Sequence, residues 1–175
     1  MAPHVTLRPP LDEGVTVHLA HPPSRHINLM YGGDPDQLPQ ASLERSIGWL
    51  AWLRAHGYAR IILADGRPVG EVRLHSEDAA RGSARLAIGL FSEDDLGQGI
   101  GRQAVRLTLD HAFGPMGLRR VDLRVLDFNA RAIACYRACG FAVTERVPKA
   151  LERDGVWYDD LVMAIERGEG RANSV

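Results

Sequence analysis

The segment Leu96-Gly97-Gln98-Gly99-Ile100-Gly101-Arg102 sets three glycines at alternate positions, and no other stretch constrains the fold as tightly. Upstream, Ser83–Phe91 alternates, with Leu86, Ile88 and Leu90 on one face, as a half-buried strand does. Downstream, a helix is predicted from near Gly101 to Phe113, ended by Gly114-Pro115. Glycines between a strand and a helix let the backbone approach a ligand closely. The first turn of the helix leaves amides unpaired, and the helix dipole adds about half a positive charge. Such a corner suits phosphate oxygens, and Arg102 could add a further cation. The two familiar nucleotide motifs built this way are absent. Arg102 stands where a dinucleotide fold needs glycine, and no Gly-Lys-Ser/Thr follows for a P-loop.

The remaining pattern mixes short strands and helices. Val5–Arg8 and Val15–Leu19 lean toward strand on either side of a Pro-Pro-Leu-Asp-Glu-Gly turn. Residues 22–30 suit a short helix, and Tyr31–Pro39 is dense in Gly, Asp and Pro, hence loop. Ser42 is placed to cap a helix running to about His56, with Gly57 as its stop. Leu43, Ile47, Leu50 and Leu53 give that helix one apolar stripe. Ala59–Ala64 and Pro68–His75 flank the hairpin signal Asp65-Gly66-Arg67. Arg119–Leu126 alternates, a helix runs from about Asn129 to Gly140, and two last strands flank Asp154-Gly155. This order predicts a mixed α/β layer fold around one central sheet. The domain is expected to occupy residues 1–166, leaving 167–175 as an unpatterned tail.

Composition then excludes several kinds of function. A formal charge of −1 over 175 residues argues against nucleic-acid binding through a broad basic face. Twenty arginines stand against a single lysine, so covalent lysine chemistry would rest on Lys149 alone. Cys135 and Cys139 form no CxxC and no disulfide framework, and read as two small buried thiols. His4, His18, His21, His26, His56 and His111 lack metal spacing, so no metal is expected. No apolar run approaches the roughly 18 residues of a membrane span, and MAPHVTLRPP has no signal-peptide stretch. A cytoplasmic protein without a membrane partner is the expectation.

A second motif lies downstream, Asn129-Ala130-Arg131-Ala132-Ile133-Ala134-Cys135-Tyr136-Arg137-Ala138-Cys139-Gly140-Phe141. Spacing alone reads it as a capping asparagine, a buried tyrosine and a stop glycine. Taken with the glycine turn, it resembles the GCN5-related N-acetyltransferase (GNAT) superfamily, and within it the RimJ/RimL-like branch of ribosomal-protein N-terminal acetyltransferases. The family's cofactor loop follows Gln/Arg-x-x-Gly-x-Gly/Ala; Gly99 and Gly101 match, while Leu96 stands at the Gln/Arg position. The run Asn129, Ala132-Ile133, Tyr136 and Gly140-Phe141 matches the second cofactor motif, and the hairpin around Asp154-Gly155-Val156-Trp157-Tyr158-Asp159 also looks like this branch. The resemblance covers roughly residues 5–166. It implies a single GNAT-type domain, with a central, mostly antiparallel twisted sheet and helices on both faces.

The resemblance also implies roles. The amides of Gly97, Gln98, Gly99, Ile100, Gly101 and Arg102 would hold the pyrophosphate of coenzyme A, with Leu96 leading into them. The strand ending at Leu90-Phe91 would pair with the pantetheine arm as an added strand does. Asn129 would bond the pantetheine, and Tyr136 would stand near the thioester sulfur. Acetyl-CoA would be the cosubstrate and an amine the acceptor: a protein N-terminus, a polyamine or a small molecule. A homodimer is frequent in this branch. Trp49 would border the acceptor site, although a core or dimer contact is the preferred reading for it.

Acetyl transfer needs a neutral amine, a polarised carbonyl and a stabilised thiolate. A lysine-like amine has a pKa of about 10.4 and a peptide α-amine one of about 7.7–8.0, so the acceptor decides how much a base matters. Backbone N–H groups around Ile88–Leu90 are candidates for the carbonyl oxygen. Tyr136 is the candidate acid for the leaving thiolate. For the base, Glu71 is placed first, with His75, Glu93, Asp94 or a water chain left open. The competing expectation is a non-catalytic acyl-CoA-binding or sensing module.

Overall fold

The computed structural model describes residues 2–168. Its elements in chain order are β1 (Val5–Arg8), α1 (Gly14–Ala20), α2 (Arg25–Met30), α3 (Leu43–Arg54), β2 (Tyr58–Ala64), β3 (Arg67–Asp78), β4 (Ser83–Leu90), α4 (Ile100–Phe113), β5 (Arg120–Leu126), α5 (Ala130–Ala138), β6 (Ala142–Arg153) and β7 (Val156–Glu166). The seven strands make one sheet in the order β1-β2-β3-β4-β5-β7-β6. Every neighbouring pair is antiparallel except β4 and β5. The mixed α/β class and the mostly antiparallel sheet expected from the sequence are therefore present.

Alternation along the strands sorts side chains onto the two faces. On one face Ile62, Val72, Leu74, Leu86, Val121 and Leu123 pack with Ile100, Ala104, Val105 and Leu109 of α4 and Ile133 of α5. On the other, Leu53 of α3 packs with Ala59 and Ile61 of β2, and Trp49 and Leu63 close the cluster. Helices thus cover both faces, and Glu71 and Arg73 of β3 fall on the α3 side by the same alternation.

Two local expectations are corrected. Val15–Leu19 is not a strand but lies inside α1. Its β-branched residues favour extended backbone, but Gly14 N donates to Leu11 O at 2.9 Å and Val15 N to Asp12 O at 3.1 Å, which starts a helix. A Cβ on Gly14 would stand 3.2 Å from Leu50, so α1 packs tightly on α3, and this contact overrides propensity. In α3 the buried face is Ser46, Leu50 and Leu53, while Leu43 and Ile47 are 58% and 52% exposed. Ser46 can be buried because its hydroxyl meets His18 Nδ1 at 2.9 Å. The Ser42 cap holds as expected, its hydroxyl accepting from Arg45 N at 3.1 Å.

Arg167 N still donates to Arg119 O at 2.8 Å, one residue past β7. The rest of the expected tail, residues 169–175, lies outside the described residues, as does Met1.

The sheet opens between β4 and β5. β4 and β5 pair over only Ser83–Arg85 and Arg120–Asp122, and beyond that no pairing joins them. On its other side β4 stays paired to β3 as far as Leu90. Phe91 N donates to Val69 O at 2.8 Å, so antiparallel alternation turns the N–H and C=O groups of Ile88 and Leu90 away from β3 and into the gap. A strand edge with no neighbouring strand on it is left inside the fold.

Candidate active site

The gap between β4 and β5 is one end of a groove of about 810 Å³. The glycine turn forms its other end. Gly97 and Gly99 adopt φ of 77° and 80°, left-handed values that a side chain disfavours. Gly99 is also the N-cap of α4, whose first amides therefore face the groove without a side-chain cap. The loop is fixed from behind by Asp95, 2% exposed, whose carboxylate takes the Arg67 fork at 2.5 and 3.3 Å. Gln98 Nε2 adds a bond to Asp94 O at 2.5 Å. Among the described residues four arginines line the groove, Arg73, Arg102, Arg124 and Arg131, against the carboxylates of Asp95 and Asp160. Since Asp95 is already neutralised by Arg67, the groove favours anions.

Leu90, Leu96, Gly97, Gln98, Gly99, Ile100, Gly101, Arg102, Asn129 and Tyr136 all line this groove. Asn129 acts first as the cap of α5, its Oδ1 accepting from Ala132 N at 3.2 Å. Its Nδ2 reaches toward Met30 O at 3.5 Å and so links α5 to the end of α2. Cys135 and Cys139 are both free thiols; Cys135 lines the groove, and Cys139 Sγ meets Arg102 O at 3.6 Å. Phe91 lies elsewhere. Its ring stands 6.0 Å from Trp49 and 5.8 Å from His21, in a second, smaller pocket.

That second pocket, about 250 Å³, is lined by His18, His21, Arg45, Trp49, Glu71 and Phe91, among others. Ile27, Tyr31, Gly89 and Leu90 line both cavities and mark where they meet. The Tyr31 hydroxyl donates to Ile88 O at 2.7 Å, which ties the end of α2 down onto β4. A Cβ at position 89 would collide with that hydroxyl, so only glycine leaves room at the junction. Tyr31 is 60% exposed as a residue, yet its hydroxyl end is seated on the strand. Burial first, then the nearby Glu71 and Tyr136, push its phenol up.

Tyr136 faces the same junction from α5. Burial, then Cys135 and Cys139, raise its phenol, so it stays protonated at neutral pH and can only donate. It makes no hydrogen bond among the described residues. Glu71 enters from β3, opposite Gly89. Its Oε1 accepts from Arg73 Nη1 at 2.7 Å, and its Oε2 is buried without a partner. Burial raises its carboxyl, and Arg73 opposes that rise.

The other base candidates stand apart from both cavities. Glu93 and Asp94 are exposed in a 3₁₀ turn before the glycine loop. His75 bonds Ser76 through Nδ1 at 2.9 Å and packs against His56. Among the described residues, no group of three His, Cys, Asp or Glu side chains is placed to hold a metal, and no helix is long and apolar enough to cross a membrane.

Sequence reasoning missed Tyr31, Arg124 and Arg131. Tyr31 opens a loop and acts on a carbonyl 57 positions away, a relation that spacing does not encode. The arginines were visible only as a compositional bias.

The acetyltransferase (GNAT) family profile matches residues 25–141. The chain belongs to the acetyltransferase (GNAT) family. GNAT proteins are acetyl-CoA-dependent enzymes, and the matched span runs from α2 through the glycine turn to the end of α5. A curated relative, the probable N-acetyltransferase YjcK of Bacillus subtilis (strain 168), is 34% identical over 104 residues. The match covers 58% of this chain and a little over half, 56%, of that relative. Among solved GNAT folds, the spermidine N-acetyltransferase of Vibrio cholerae, in complex with CoA and spermine, superposes with a TM-score of 0.78 at 20% identity, over 94% of this chain and 96% of that one. Mycobacterium smegmatis RimJ, in complex with CoA-disulfide, also gives 0.78, at 26% identity, over 95% of this chain and 83% of that one.

Proposed function

We propose that the protein is an N-acetyltransferase that moves acetyl directly from acetyl-CoA to a primary amine. One observation carries this reading: an anion-suited groove and a separate pocket meet at Tyr31, Gly89 and Leu90, with Tyr136 on the groove side and Glu71 on the pocket side. The amides from Gly97 to Arg102 bind the pyrophosphate. The free edge of β4 at Ile88 and Leu90 receives the pantetheine, and its N–H groups polarise the thioester carbonyl. The amine enters through the smaller pocket. Glu71 takes its proton, directly or through one water, as the nitrogen attacks the carbonyl carbon. When the C–S bond breaks, Tyr136 hydrogen-bonds or protonates the departing thiolate, whose unperturbed pKa is about 8.5.

The likeness to RimJ supports the RimJ/RimL-like placement, and the likeness to a spermidine enzyme keeps a polyamine acceptor in view. A homodimer belongs to the same reading, and Val143, Val156 and Trp157, exposed on the β6–β7 hairpin, offer apolar surface for it.

The deciding experiment follows free thiol released from acetyl-CoA against a panel of peptides, amino acids and polyamines. Amine-dependent thiol establishes the enzyme. Tight CoA binding with no release across the panel establishes the sensing module instead.

A further inference from the structure

The smaller pocket is poor in negative charge. Among the described residues Glu71 is the only carboxylate lining it, and that charge is already engaged by Arg73 at 2.7 Å. Arg45 lines the same pocket from α3. It differs from the other arginines on this side of the sheet. Arg54 is held by Asp12 at 2.8 Å and by Pro10 O at 2.9 Å, and Arg73 is held by Glu71 and stacks over Trp52 at 4.5 Å. The Arg45 guanidinium has no ion pair among the described residues. It is close enough to His18 to help hold that ring below its usual pKa, after burial.

The walls are rings rather than charges. His18 stacks on Trp49 at 4.5 Å and 15°, and Trp49 meets Phe91 edge-on at 6.0 Å. His21 completes the set, its Nδ1 fixed on Val17 O at 2.8 Å. A carbonyl can only accept, so Nδ1 carries a proton in this bond. The volume, about 250 Å³, falls below the roughly 300–1,000 Å³ of pockets for drug-sized ligands.

We propose that the acceptor is a small amino-acid-like amine carrying its own carboxylate, and that Arg45 is the residue that selects it. The amine turns toward Glu71 and the thioester, the side chain lies among Trp49, Phe91 and His18, and the carboxylate meets the Arg45 fork. A polyamine would bring a second cation to a pocket that offers it Arg45 and no free carboxylate. A peptide N-terminus presents an amide where this pocket offers a guanidinium. The inference rests on the acetyltransferase reading and narrows its acceptor.

The test measures kcat/KM for L-phenylalanine and L-methionine, for their amides and for spermidine, in the wild type and in Arg45→Ala, Arg45→Lys and Arg45→Glu. Amine basicity differs between an acid and its amide but not between variants, so the acid-to-amide ratio isolates Arg45. The wild type is expected to favour the acids. Arg45→Ala lowers the acid-to-amide ratio about tenfold or more, Arg45→Lys restores part of it, and Arg45→Glu moves preference toward spermidine. A ratio unmoved by Arg45→Ala, or spermidine outrunning both acids in the wild type, overturns the carboxylate assignment and leaves the acetyltransferase standing. CoA binding by calorimetry without thiol release from any amine overturns both.

Discussion

The Tyr31 hydroxyl donates to the Ile88 carbonyl at 2.7 Å and sits directly over the Cα of Gly89. That bond lies in the wall between the larger groove and the smaller pocket, both of which Tyr31 and Gly89 line. Gly89→Ala would force its methyl into that hydroxyl and push the end of α2 off β4. Activity is expected to fall about 100-fold, the loss that a misplacement of about 1 Å brings. Removing the hydroxyl as well relieves the worst contact, because the next ring atom lies 3.1 Å from the added carbon. The double variant Tyr31→Phe/Gly89→Ala should then be more active than Gly89→Ala alone. Steady-state kinetics on the three variants check this, and a double variant worse than Gly89→Ala would sink the steric account.

Glu71→Gln removes the only carboxylate that lines the pocket among the described residues. General-base loss predicts a fall in kcat of about 10²–10⁴. Burial raises the Glu71 carboxyl, so the wild-type rate should drop with acid at a pH above the ordinary carboxylate range. The glutamine variant should lack that limb and keep only the slope set by the amine itself. A pH profile of kcat for both proteins is the measurement, and an unchanged acid limb in the variant removes Glu71 as the base.

Tyr136→Phe leaves the ring in place and deletes a hydroxyl that bonds nothing else among the described residues. Folding stability should therefore change little. If Tyr136 assists the thiolate, kcat falls by about 10²-fold or more while CoA affinity stays within a few-fold. Full kcat in the variant would return Tyr136 to a packing role.

The parts of this site that came from local sequence were legible in it. Gly97 and Gly99 announce a turn because only glycine takes their φ cheaply, and Asn129 and Ser42 announce helix starts because their side chains cap neighbouring amides. Relations made across the fold were not legible. Val15–Leu19 carries a strand's composition, but it lies in α1, which packs on α3 so closely that a side chain at Gly14 would crowd Leu50. Ser46 looks like a surface residue until His18 arrives from α1 to bond it. Phe91 directly follows β4, yet its ring meets Trp49 and His21 because Phe91 faces the α3 side. Alternation could place Glu71 on a face with Arg73 and His75, but not show that it is buried with Oε2 unbonded.

The Arg67–Asp95 pair should control cofactor affinity without touching the acetyl group. The Asp95 side chain is 3% exposed and that of Arg67 is 58% exposed, so water reaches the cation but not the carboxylate. Arg67→Ala then strands a buried charge, whereas Asp95→Asn keeps the shape and weakens the bonds. The expected order of destabilisation is Arg67→Ala greater than Asp95→Asn, with the latter costing about 1 kcal/mol. Both variants should weaken CoA binding several-fold by loosening the start of the glycine turn. Thermal melts and calorimetry test this, and equal melting temperatures with unchanged CoA affinity would make the clamp irrelevant to the loop.

Three histidines, His18, His75 and His111, are each held below the usual histidine pKa, first by burial and then by a nearby arginine. A pKa lowered on folding means that the unfolded chain takes up protons first as the pH falls. The stability they support is complete above about pH 6.5 and declines as acid carries the solution down toward their lowered values. Melting temperature should therefore be nearly flat from about pH 7 to 8 and fall between about pH 6.5 and 5. His18→Gln should shrink that decline, since a neutral amide has no proton to take, even if the lost stack on Trp49 lowers the plateau. A decline of undiminished size in His18→Gln would assign the acid sensitivity to other groups.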